Sequence, residues 1–124
     1  MQPLERSPHA WGRLRTDVDC GLRRGAWYRV AQLTRDHVVL QVTREQMRVA
    51  RRLVQTVFQE PTRWSVVPLP RGAVNVPAEW GTRYAVCPAC HGRAPIVDFP
   101  GELPCPNCQG VFKVAWEEHY LKRR

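Results

Sequence analysis

Two C-x-x-C pairs constrain the fold of this chain more than any other feature of the sequence. The pairs are Cys87-Pro88-Ala89-Cys90 and Cys105-Pro106-Asn107-Cys108, and they are separated by residues 91–104. Each pair can direct two thiolates toward one point, and two such pairs complete a tetrahedral shell. The spacing therefore predicts a closed, structural Zn²⁺ site with Cys87, Cys90, Cys105 and Cys108 as its ligands.

The residues around the cysteines indicate two short hairpins. A glycine stands two places after each pair, at Gly92 and Gly110, and we expect these glycines to make the tight turn of a metal knuckle. Short apolar runs at 84–86, 94–97 and 111–116 lead into and out of the pairs, as strands do.

Residues 82–116 resemble the zinc-ribbon fold group on these motifs. The string C-P-N-C-Q-G-V-F-K-V, from Cys105 to Val114, is similar to zinc-ribbon segments of many bacterial proteins. The resemblance covers about a third of the chain, and residues 1–81 resemble no family. It implies a structural metal and a surface that contacts nucleic acid or another protein.

Other roles for the cysteines fit the sequence less well. Four thiolates could hold one iron ion, which also accepts tetrahedral sulfur ligation. The string Cys87 to His91 matches the C-x-x-C-H motif of covalent haem attachment, but that chemistry leaves the second pair unexplained. A thioredoxin-type redox pair needs a βαβ context that is absent here. Cys20 remains, and we interpret it as a free thiol.

Length and hydropathy define the class of protein. With 124 residues, the chain is long enough for one small domain and a metal module. No apolar run is long enough to span a bilayer, and residues 1–24 lack the apolar stretch of a secretory signal. We therefore expect a cytoplasmic protein with a polar N-terminal arm at 1–24.

The middle of the chain predicts an α+β unit at 25–67. Two strands, at 27–33 and 38–42, should form a hairpin, and a further strand should follow at 63–67. Between them, residues 44–59 fit an amphipathic helix, with Thr43 as its N-cap and Pro61 beyond its end. The predicted fold is thus a small antiparallel sheet with one amphipathic helix, a Pro/Gly-rich linker at 68–81, and a zinc ribbon at 82–124.

One alternative stays open at residues 46–50. Met47 and Val49 alternate with Gln46 and Arg48, so this segment could be a strand of a small β-barrel that precedes the zinc ribbon. In that case the helix would not exist.

Charge gives the second functional indication. The chain carries a net charge of +8, nearly all of it from arginine. A helix at 44–59 would align four arginines on its exposed face, and the chain ends on three basic residues. The candidate nucleic-acid contacts are Arg44, Arg48, Arg51, Arg52, Lys122, Arg123 and Arg124.

Two functions follow from these features. The first is a non-catalytic protein that binds nucleic acid or a ribonucleoprotein through a basic face. The second is a protein-interaction subunit of a larger assembly, with a purely structural zinc. The sequence contains no glycine-rich phosphate loop, nucleophile elbow or H-E-x-x-H motif, so we expect neither an enzyme nor a small-molecule substrate.

Overall fold

The computed structural model describes residues 9–18, 20–69 and 77–121, and these form two compact units. The N-terminal unit contains the described residues up to 60 except 23–26. The C-terminal unit contains residues 23–26 and those from 61 onward. Residues 1–8 and 19 of the predicted arm, residues 70–76 of the predicted linker and the basic tip at 122–124 lie outside the described residues. The predicted segment boundaries stay predictions.

The N-terminal unit is a five-stranded antiparallel sheet. Its strands are β1 (Trp11–Leu14), β2 (Tyr28–Leu33), β3 (His37–Val42), β4 (Glu45–Ala50) and β5 (Val54–Val57). They pair in the order β4-β3-β2-β1-β5. A single-turn 3₁₀ helix, Arg51–Leu53, joins the two edge strands β4 and β5 in the chain.

The predicted amphipathic helix is wrong, and with it the α+β fold class. The described residues form two sheets, one of them a half-barrel, and contain no helix of seven or more residues. The open alternative at 46–50 agrees with the structure, because these residues lie within β4, which pairs with β3 from His37↔Ala50 to Val42↔Glu45. None of the helices in the described ranges is long and apolar enough to cross a membrane.

The helical pattern has a local explanation. Thr43 adopts a left-handed φ of 55° in the turn between β3 and β4, which starts a strand instead of capping a helix. The 3₁₀ turn then shifts the alternation of buried and exposed residues by an offset between β4 and β5. Two short strands offset in this way place apolar residues at spacings of three and four, as a helix does. Pairing with β3 and β1 decides between the two patterns.

A small core lies on one face of this sheet. Val30, Val38 and Leu40 are almost fully buried, as is Leu14 on β1. Gly12 allows β5 to approach β1 closely, because a Cβ at this position would lie 2.7 Å from the Val54 side chain. Val54 is the first residue of β5 and directly follows the 3₁₀ turn that carries Arg51 and Arg52.

The C-terminal unit is a second five-stranded sheet. Its strands are β6 (Arg63–Pro68), β7 (Arg83–Val86), β8 (Arg93–Pro95), β9 (Glu102–Pro104) and β10 (Val111–Val114). The order is β8-β7-β6-β10-β9, in which β6 runs parallel to β10 and the other neighbours are antiparallel. The strand predicted at 63–67 therefore exists, but it is the central strand of this second sheet.

The core of the C-terminal unit is built around Trp64. Its side chain is fully buried, and its indole N–H donates a hydrogen bond to the Leu103 carbonyl at 2.8 Å. The same hydrophobic cluster includes Cys87 and Cys105. Two predicted metal ligands are thus part of the core that holds the two hairpins together.

Candidate metal centre and basic cleft

The four paired cysteines meet at one point of the C-terminal unit. Their Sγ atoms all lie within 4.8 Å of one another. The Sγ atoms of Cys87 and Cys108 are 3.8 Å apart, and those of Cys90 and Cys105 are 3.6 Å apart. Each of these contacts joins a cysteine of one hairpin to a cysteine of the other, so both pairs contribute to a single cluster.

The separations fit a tetrahedral metal shell. With metal–sulfur bonds of about 2.3 Å, a tetrahedron places its sulfurs ~3.8 Å apart. A disulfide needs sulfurs only about 2.05 Å apart, and all four cysteines are free. The predicted ligands Cys87, Cys90, Cys105 and Cys108 are therefore placed to hold one metal ion.

The two knuckles have the same backbone geometry. The Cys87 amide donates to the Gly92 carbonyl at 2.8 Å, and the Cys105 amide donates to the Gly110 carbonyl at 2.8 Å. The residue after each pair is left-handed, with φ of 66° at His91 and 64° at Gln109. The sequence repeat is thus also a structural repeat.

The glycines have a role different from the predicted one. The left-handed residues of the knuckles are His91 and Gln109, while Gly92 and Gly110 have ordinary φ values. A Cβ at Gly92 would lie 3.1 Å from Cys90 Sγ, and one at Gly110 would lie 2.6 Å from the Phe112 ring. The glycines therefore provide space for a sulfur and an aromatic ring.

Amide groups surround the sulfurs. The amides of Ala89 and Gly92 donate to Cys87 Sγ and Cys90 Sγ, and those of Asn107 and Cys108 donate to Cys105 Sγ. The Asn107 side chain adds a bond from Nδ2 to Cys90 Sγ at 3.3 Å. Such donors stabilise negative charge on metal-bound thiolates.

The thiols differ in acidity before a metal binds. Burial raises the pKa of the Cys87 thiol to about 12. Burial also raises the pKa of Cys90, but hydrogen bonds from the Asn107 side chain and the Gly92 amide outweigh it, and the pKa falls to about 7. A metal ion must therefore displace a proton from Cys87 at neutral pH.

A second feature, a basic cleft, lies in the N-terminal unit. Its volume is about 620 Å³. We define it by its lining residues Arg15, Arg35, Asp36, His37, Ala50, Arg51, Arg52, Val54, Thr56 and Phe58. All four arginines are exposed, and in the described part of the chain none of them forms an ion pair. Among the described residues that line the cleft, Asp36 supplies the only carboxylate.

The predicted arginine stripe is divided by the real fold. Arg44 lies in the turn between β3 and β4, at the opposite end of that hairpin from the cleft. Arg48 is exposed on β4, with Nη2 3.3 Å from His37 Nδ1. Only Arg51 and Arg52 line the cleft, and Lys122, Arg123 and Arg124 lie outside the described residues.

Sequence reasoning missed the other members of the cleft. Arg15 follows β1, Arg35 lies in the loop between β2 and β3, and Phe58 follows β5. These residues are distant in sequence, and strand pairing together with hydrogen bonds of the 3₁₀ turn to Arg15 and to the β2–β3 loop brings them together. The exposed Asn107 was also missed as a sulfur contact, although its place between the cysteines of the second pair was an available signal.

Comparisons with known proteins identify no relative. The chain matches no protein-family model, no curated protein and no solved structure. The resemblance to zinc ribbons is therefore supported by the cysteine cluster and not by a family match.

Proposed function

We propose that this chain is a non-catalytic protein that binds nucleic acid through the basic cleft and holds one structural zinc ion. The observation that carries the nucleic-acid proposal is the convergence of Arg15, Arg35, Arg51 and Arg52 on one cleft that contains a single carboxylate. The cysteine cluster supports the zinc.

Zinc suits the cysteine cluster because four thiolates fill its shell and leave no open position for catalysis. Cys87 and Cys105 belong to the hydrophobic core, so a metal here would join the two hairpins covalently. Elemental analysis should find one zinc per chain in a colourless protein; a coloured protein with one iron would contradict the assignment. Since free thiols persist in reducing compartments, we place the protein in the cytoplasm.

Phosphate is the anion that best fits the basic cleft. Guanidinium groups bind phosphate oxygens through two parallel hydrogen bonds. Arg51 is already oriented, because its Nη1 donates to the Thr34 carbonyl at 3.0 Å and its amide donates to the Asp36 carbonyl at 2.8 Å. A polymer of phosphates can contact several of these arginines at once.

Salt dependence tests this proposal. If each of the four arginines neutralises one phosphate of a single strand, the logarithm of the binding constant should fall by ~2.8 per tenfold rise in salt. Fluorescence anisotropy with a labelled oligonucleotide measures this slope. The double variant R51A/R52A should bind more weakly and have a slope smaller by about 1.4.

The matched control is R44A. It also removes an exposed arginine, but in the turn at the far end of the β3–β4 hairpin, beyond the full length of β4, which spans about 17 Å at ~3.4 Å per residue. We expect it to bind nearly as the unchanged protein does. Equal binding by R51A/R52A and the unchanged protein would contradict the proposal.

A protein-interaction subunit remains a second candidate. Three large apolar side chains of the C-terminal unit are strongly exposed: Val97 at 74%, Phe99 at 73% and Val111 at 60%. Such side chains favour contact with a protein partner. A pull-down with and without nuclease separates the two functions, because protein partners recovered after nuclease and moderate salt would favour this candidate.

A further inference from the structure

Among the described residues that line the basic cleft, Phe58 is the one large apolar side chain that is strongly exposed, and it lies beside the arginines. It follows β5 directly and is 63% exposed. It is the only aromatic ring other than that of His37 among the lining residues. An exposed phenylalanine contributes little to the core, so its place beside four arginines suggests a ligand with flat, apolar faces as well as negative charge.

We propose that the basic cleft takes single-stranded nucleic acid, with one base stacked on Phe58 and adjacent phosphates held by the arginines. Proteins that bind single strands combine a positively charged groove with aromatic platforms on which bases stack. Duplex nucleic acid keeps its base faces inside the stack, so it could reach the arginines but not the ring. This inference rests on the proposed function and specifies its ligand.

The cleft is also ordered before any ligand arrives. The loop between β2 and β3 is held by hydrogen bonds between Thr34 and His37, at 2.9 Å for Thr34 N to the His37 carbonyl and 3.0 Å for His37 N to Thr34 Oγ1. Arg51 connects this loop to the 3₁₀ turn. The volume of the basic cleft, about 620 Å³, lies within the ~300–1,000 Å³ of typical ligand sites.

The experiment compares single strands and duplexes on the full chain. We titrate labelled oligothymidine and oligouridine of about 12 nucleotides beside a duplex of equal length. This length lies within the ~4–16 nucleotides that one small domain covers. The variants are F58A, F58W and, as a matched control, F99A, which removes another strongly exposed phenylalanine, from the C-terminal unit.

The expected result is tighter binding of the single strands than of the duplex. F58A should weaken single-strand binding about five- to a hundredfold and leave duplex binding unchanged, whereas F58W and F99A should retain the original affinity. Unchanged thermal melting of F58A verifies its fold.

The failures of the two proposals differ. If F58A binds single strands normally while R51A/R52A does not, the basic cleft still binds phosphates but the stacking inference is overturned. Duplex binding equal to or tighter than single-strand binding also overturns it. If polyglutamate competes as well as the oligonucleotides, or no oligonucleotide binds, the proposed function itself fails.

Discussion

The Asn107 side chain gives the most direct test of how the protein tunes its metal centre. Backbone N–H groups of both knuckles are directed at the sulfurs, and Nδ2 of Asn107 adds a donor from a side chain. The variant N107A removes this donor to Cys90 Sγ but retains the backbone amide that donates to Cys105 Sγ. The change therefore isolates one hydrogen bond.

The structure sets the magnitude. Loss of a group that supports a metal ligand costs about ten- to a hundredfold in metal affinity, or about 1.4–2.7 kcal/mol. The hydrogen bond joins Nδ2 and Sγ at 3.3 Å, but Asn107 is exposed, so water can replace the lost donor. We therefore expect the lower end, an affinity for zinc about tenfold weaker.

Competition with a chromophoric chelator measures the zinc affinity of N107A. The matched control is E102A, since Glu102 is exposed on β9, before the same knuckle, and contacts no sulfur. E102A should hold zinc as the unchanged protein does. An N107A affinity within twofold of the control would refute the claim that this side chain stabilises the metal-bound thiolate.

Two further predictions concern the same centre. C105S should lose stoichiometric zinc and unfold the C-terminal unit, because structural zinc contributes about 10–16 kcal/mol. The control C20S should change neither the zinc content nor the circular dichroism spectrum. A folded, zinc-free C105S would contradict this prediction. Zinc affinity should fall as pH falls, because protons compete with the metal for the thiolates. The pKa is about 12 for the Cys87 thiol and about 7 for the Cys90 thiol. A titration of zinc release against pH checks the direction, and release that does not increase toward acid pH would contradict it.

The metal centre could be predicted from sequence because its information is local. Each C-x-x-C pair forms one turn, so spacing alone indicates which atoms can converge, and the strands beside the pairs follow from short apolar runs. The roles of Gly92 and Gly110 could not be read in this way, because they depend on what approaches each glycine.

The N-terminal unit could not be predicted to the same extent. Residues 44–59 satisfy a helical and a strand pattern at once, and only pairing with β3 and β1 selects the strands. Because the helix does not form, the predicted arginine face does not exist. A different group of arginines, Arg15, Arg35, Arg51 and Arg52, lines the basic cleft instead. Hydrogen bonds between strands join residues distant in sequence, and a local pattern does not contain that information.

The sequence by itself thus determined which four thiols converge and the two hairpins that carry them. Tertiary structure decided where the positive charge is concentrated. Arg15, Arg35 and Arg51 belong to three separate segments, and hydrogen bonds to the 3₁₀ turn bring them together: the Arg15 amide donates to the Leu53 carbonyl, and Arg51 donates to the Thr34 and Asp36 carbonyls on either side of Arg35. The physical reason is the sequence separation of the bonded residues. The hydrogen bonds that close each knuckle join residues within a stretch of six, whereas the basic cleft is assembled by pairing across the whole sheet.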